Sequence, residues 1–152
     1  MSTQAEKYSL AIAGEFFVAA QLQRMGARAS VTYGNAKRAD VVVVGQTSGK
    51  SVTIEVKSSG TGRWPIGNRV PAPSNQLWVF VHVPKTHVQP PQYYVVTQQQ
   101  LNRLLAPIER AYLARFKAKH GVAYGNRPGV ATANRTVLAP FQDAWSTILR
   151  RL

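Results

Sequence analysis

Three features of the sequence predict an α/β fold. Residues 2–24 carry apolar side chains at three- and four-residue spacing. Residues 27–96 hold short β-branched and aromatic runs separated by turn residues, and helical patterning returns after Thr97. A length of 152 residues suits one domain with a hydrophobic core. Residues 1–97 read as the core unit and residues 98–152 as a helical C-terminal extension packed on it.

In the first helix, Tyr8, Ala11, Ile12, Val18, Ala19 and Leu22 define the packing face, and Gly26 is placed to end it. Residues 27–33 read as a strand, followed by a turn at Gly34 and Asn35 and the basic pair Lys37 and Arg38. Residues 41–44 and 51–57 pair as a hairpin closed around 46–49. In that register Val44 faces Ser51, and Asp40 faces Glu55. Residues 58–75 are rich in Gly and Pro, lack periodicity and read as a long loop. Its Arg63, Trp64 and Arg69 suit phosphate contact and base stacking, or else Trp64 anchors the loop to the core. Strands are expected at 77–83 and 93–96. Thr97 and Gln100 cap a helix, Pro107 opens a second one ending before Gly121, and 124–138 is loop-like. Phe141, Ala144, Trp145, Ile148 and Leu149 mark a terminal amphipathic helix, an apolar face on which a homodimer could form.

Charge narrows the function. With 19 Lys and Arg against 6 Asp and Glu, the formal charge is +13, which points to a polyanionic partner, nucleic acid foremost. Acids are scarce enough for their positions to inform. Glu15 falls within an apolar helix stripe, where a carboxylate must be paired, reach water at the stripe's edge or face a polar site. Carboxylates facing each other across a strand pair repel by roughly 3 kcal/mol, more than the roughly 0.2–1 kcal/mol a good cross-strand pair returns. Lys57, on the same strand face as Glu55, offsets part of this, and a divalent cation such as Mg²⁺ would offset the rest. An ordinary solvated salt bridge is the alternative. No cysteine is present, and His82, His87 and His120 lack zinc-ligand spacing. Glu15 interrupts the one apolar N-terminal run, so neither export nor a membrane partner is expected, and a reducing, cytoplasmic setting is.

A helix with a central Glu (GEFFVAAQLQRMG), a strand opening on Asp (RADVVVV) and a strand ending Glu-x-Lys (VTIEVKSS) together resemble the PD-(D/E)XK nuclease superfamily. Ala39 replaces the Pro of the motif's name, and no helix is evident between Lys57 and Leu77, where that family usually has one. The resemblance implies a restriction-endonuclease-like core with a central mixed β-sheet flanked by helices. It implies that Asp40, Glu55 and the Val56 carbonyl bind Mg²⁺ or Mn²⁺, that Lys57 orients or deprotonates the attacking water, and that Glu15 holds a second metal or a metal-bound water. The expected function is a metal-dependent nuclease, a DNA endonuclease before an RNA one. The competing reading is a basic nucleic-acid-binding protein with a degenerate nuclease fold.

Overall fold

A computed structural model describes residues 2–32, 39–129 and 131–152. The first helix, α1 (Gln4–Arg24), starts at a reciprocal cap: the Thr3 hydroxyl accepts the Glu6 N–H, and the Glu6 carboxylate accepts the Thr3 N–H. It ends where Gly26 takes a φ of 89°, a conformation that costs glycine little. The strands that follow are β1 (Arg28–Val31), β2 (Val41–Val44), β3 (Ser51–Ser59), β4 (Arg63–Gly67), β5 (Leu77–His82) and β6 (Gln92–Thr97). The long helix α2 (Gln98–His120) precedes β7 (Ala131–Asn134) and the short helices α3 (Arg135–Leu138) and α4 (Ser146–Leu149).

Five strands form one mixed sheet in the order β1-β2-β3-β5-β6. β1, β2 and β3 are antiparallel neighbours, β5 runs parallel to β3, and β6 is antiparallel to β5. The expected hairpin register is the one formed, with Val44 opposite Ser51 and Val41 opposite Ile54. One sheet face carries Val41, Val43, Ile54, Val79 and Val95 and is covered by Val18 and Leu22 of α1 and by Trp145 and Ile148. The other face is covered over β5 and β6, where Trp78, Phe80 and Tyr94 meet Trp64, Leu101, Leu105 and Leu138. Five of the six residues of β5 are therefore buried, as expected for a central strand with layers on both sides.

Several expectations are corrected. The segment after Ser59 is not all loop, because β4 lies within it and pairs with β7 in a second, two-stranded sheet. Trp64, only 1% exposed, does not stack a base. Its ring meets Phe80 and Tyr94 edge-on at centroid distances of 5.5 and 5.8 Å, and its Nε1–H donates to the Val81 carbonyl. Deleting an indole so buried costs about 3–5 kcal/mol, so its role is to hold β4 on the sheet. Pro107 does not start a helix but sits inside α2, on its exposed side, where water can satisfy the carbonyl that proline leaves unpaired. The terminal apolar run is not one helix. It is a 3₁₀ turn and α4, broken at Asp143 with φ 54°, and Trp145 packs edge-on against Tyr93 at 5.1 Å. Trp145 is thereby spent on the core and is not free for self-association. In α1, Tyr8 is 68% exposed and Ala11 is exposed, so the packing face begins lower, at Gly14 and Val18.

Gly14 sets how closely α1 approaches β3. A Cβ there would overlap Ser58 Oγ and come within 3.0 Å of Ser58 Cβ. Among the described residues, the buried Ser58 hydroxyl has no hydrogen-bond partner. Gly14→Ala should therefore destabilise the fold by about 1–3 kcal/mol through overpacking, and adding Ser58→Gly should recover most of that loss. Denaturant unfolding of the two variants measures both, and an additive double variant would contradict the contact.

Candidate active site

β3 is longer than the strand beside it. β2 stops pairing at Val41 opposite Ile54, so from Glu55 to Ser59 the β2-side edge of β3 has no described strand along it, while the other edge pairs with β5. Asp40 lies in the bend just before β2. Its backbone N–H donates to the Ile54 carbonyl at 2.9 Å, and its Oδ2 accepts the Val56 N–H at 2.8 Å. The carboxylate thus replaces the main-chain acceptor that a longer β2 would have supplied. Asp40 was expected to stand on the sheet face across from Glu55. The register leads toward that pairing, but the side chain turns to the strand's edge. Because the N–H and C=O of one strand residue point the same way, the Val56 carbonyl is directed to this edge too.

Alternation sends Ile54 and Val56 into the core beneath α1 and puts Glu55 and Lys57 on the opposite face, in register with Trp78 and Phe80. They stand at a step. The layer over β5 and β6 ends beside them, and toward β1 and β2 that face carries Arg28, Ser30, Val42 and Val44, none of them buried. Lys57 Nζ lies 3.7 Å from Glu55 Oε1, with the lysine side chain 38% and the glutamate side chain 17% exposed. On the lysine side the pair is open to water, where such a contact contributes little to stability.

Glu15 lies on α1, which covers the sheet face opposite Glu55 and Lys57, and of the two strand acids it is Asp40 whose charge it feels. It is half-buried on α1 beside Gly14, and its carboxyl titrates above the ordinary 4.5, first because burial disfavours the charge and second because the Asp40 carboxylate is near. The native state therefore holds the Glu15 proton at a pH where the unfolded chain has lost it, and stability falls as pH rises from about that ordinary value through the native one. In chelator, Glu15→Gln should stabilise the protein at pH 7 and give no gain at pH 4. Thermal unfolding at the two pH values checks this, and an equal gain at both would contradict it.

Among the described residues, no three His, Cys, Asp or Glu side chains form a group that could hold a metal by themselves. Asp40, Glu55 and the Val56 carbonyl are nonetheless hard oxygen donors. That set suits Mg²⁺ or Mn²⁺, which need only one or two carboxylates beside water and substrate phosphate oxygens, and does not suit zinc. Lys37 and Arg38 lie outside the described residues. Arg63 is exposed on β4. Arg69 is committed elsewhere, donating to the carbonyls of Asn68, Gly125 and Arg127 and lying 4.8 Å from the Tyr124 ring centroid.

Two structural features were missed by sequence reasoning. The Ser59 hydroxyl accepts the N–H groups of Thr61, Gly62 and Arg63 at 3.1–3.3 Å, which turns the chain out of β3 into β4. The signal was the Ser-x-Thr-Gly run, a side-chain-to-backbone turn pattern. Gly14, the other, stood beside Glu15 in an apolar helix, where a glycine invites a reason of packing. Among the described residues no helix is long and apolar enough to cross a membrane. Comparison with family models, with curated proteins and with solved structures gives no match.

Proposed function

We propose that the protein is a metal-dependent nuclease on a restriction-endonuclease-like core, hydrolysing phosphodiester bonds of DNA. The observation that carries this is the hydrogen bond from the Val56 N–H to Asp40 Oδ2, which ties one carboxylate to the strand bearing Glu55 and Lys57. In a chain with only 6 acids, one at an open strand edge, a second on the adjoining face and a third on the helix near the first support a shared chemical role.

Asp40, Glu55 and the Val56 carbonyl would hold Mg²⁺ or Mn²⁺, which when bound polarises the phosphodiester and acidifies water. Asp40 is oriented for this by the Val56 N–H, which leaves its second oxygen directed away from that bond. Lys57 places a cationic donor beside Glu55, where it orients the attacking water and offsets the charge that builds on the phosphorane-like transition state. Glu15, near Asp40 on α1, would hold a second metal or a metal-bound water. The reading is tested by incubating the protein with single-stranded, duplex and branched DNA and with RNA, in Mg²⁺, Mn²⁺ or chelator. A non-catalytic nucleic-acid-binding protein is the second reading, favoured by the lack of a three-ligand group among the described residues, and it binds in that assay without cutting.

A further inference from the structure

α2 has 23 residues, but none beyond Leu105 is buried. Its last four turns are braced by the segment that follows, through Tyr124 packed edge-on against Tyr112 and Phe116 at 5.6 and 4.8 Å, and through Arg127 over the Phe116 ring. The single acid of the helix, Glu109, is occupied on its inner side by the Val70 N–H at 2.6 Å. On the outer side, Arg103, Arg110 and Lys117 recur every seven residues, a spacing that sets them in one row about 10 Å apart along the axis. All three are exposed and, among the described residues, none has an ion-pair partner. Cations in the last turn of a helix complement its dipole, which accounts for Lys117 and Lys119 but not for Arg103 or Arg110.

We infer that this braced arm is a second nucleic-acid contact, separate from the acidic site, in which Arg103, Arg110 and Lys117 lie along the phosphate backbone of duplex DNA. A rigid row of delocalised or ammonium cations with no acid facing outward is complementary to an evenly charged polyanion, and the aromatic bracing keeps the row straight. The inference rests on the nucleic-acid part of the proposed function and not on its chemistry.

The experiment is fluorescence-anisotropy titration of a labelled DNA duplex in chelator over a range of salt, with the full chain and the Arg103→Gln, Arg110→Gln, Lys117→Gln triple variant. Each phosphate contact contributes about 0.9 to the slope of log affinity against log salt, so the variant's slope should be shallower by about 2–3. The charge-preserving set Arg103→Lys, Arg110→Lys, Lys117→Arg should keep the wild-type slope, which shows that charge and not packing was removed. An unchanged slope in the neutral variant overturns the inference. An equal change against poly-L-glutamate also overturns it, because the arm would then serve acidic polypeptide as well as DNA. A protein that never cuts but shows the slope change loses the proposed chemistry and keeps the arm.

Discussion

Asp40→Asn is expected to lose at least about 10²-fold in cleavage rate while the protein stays folded and binds DNA as tightly as before or tighter. Asparagine is the informative replacement because its carbonyl can still accept the Val56 N–H that Asp40 Oδ2 now accepts at 2.8 Å. Alanine would leave that N–H without its acceptor, at a cost of about 1–3 kcal/mol, and would confuse lost chemistry with lost structure. Removing a negative charge from a basic protein cannot weaken its attraction for phosphate, so the affinity arm of the prediction has a fixed sign. A folded Asp40→Asn protein that cuts at the wild-type rate would remove Asp40 from the site.

Lys57→Arg should keep the fold and lose at least about 10²-fold in cleavage, the low end of what a positioned acid or base contributes. Lys57 Nζ is 3.7 Å from Glu55 Oε1, and its side chain is 38% exposed. An arginine there keeps the charge and the pairing. What it changes is donor geometry and the ability to release a proton, since a guanidinium stays protonated. Single-turnover cleavage with saturating protein separates the two roles. Near-wild-type turnover would make Lys57 a counter-ion to Glu55 and nothing more.

The strands were legible wherever the pattern was local. Four consecutive valines, a polar turn and the alternation through Ile54 and Val56 pinned the hairpin, because a one-residue slip would have exposed its whole core face. Scarcity singled the acids out in the sequence but did not place them: Asp40 sits at the β3 edge, Glu55 on one sheet face and Glu15 on the helix over the other. What failed was long-range or depended on an exception. β4 contains Pro65 and Gly67, reads as loop, and is made a strand only by Trp64 pairing with Ala133, a partner far along the chain. Pro107 looked like a helix start, but the apolar face through Leu101 and Leu105 continues to Tyr112 and Phe116, and that packing outweighs one missing bond. Asp40 followed the expected register and then left it, because its side chain found the open Val56 N–H, a choice that only the ending of β2 creates.

The proposed site joins Asp40, Glu55 and Lys57 in metal-dependent phosphodiester hydrolysis. It is tested most directly by following a labelled DNA duplex and a branched DNA with the wild-type protein, in Mg²⁺ and in chelator, beside Asp40→Asn. The wild type should give products with Mg²⁺ and none in chelator, and Asp40→Asn in Mg²⁺ at most about a hundredth of the wild-type rate, with binding intact in all three. Binding without cleavage of any DNA or RNA substrate in either Mg²⁺ or Mn²⁺, or cleavage that Asp40→Asn leaves unchanged, would contradict it.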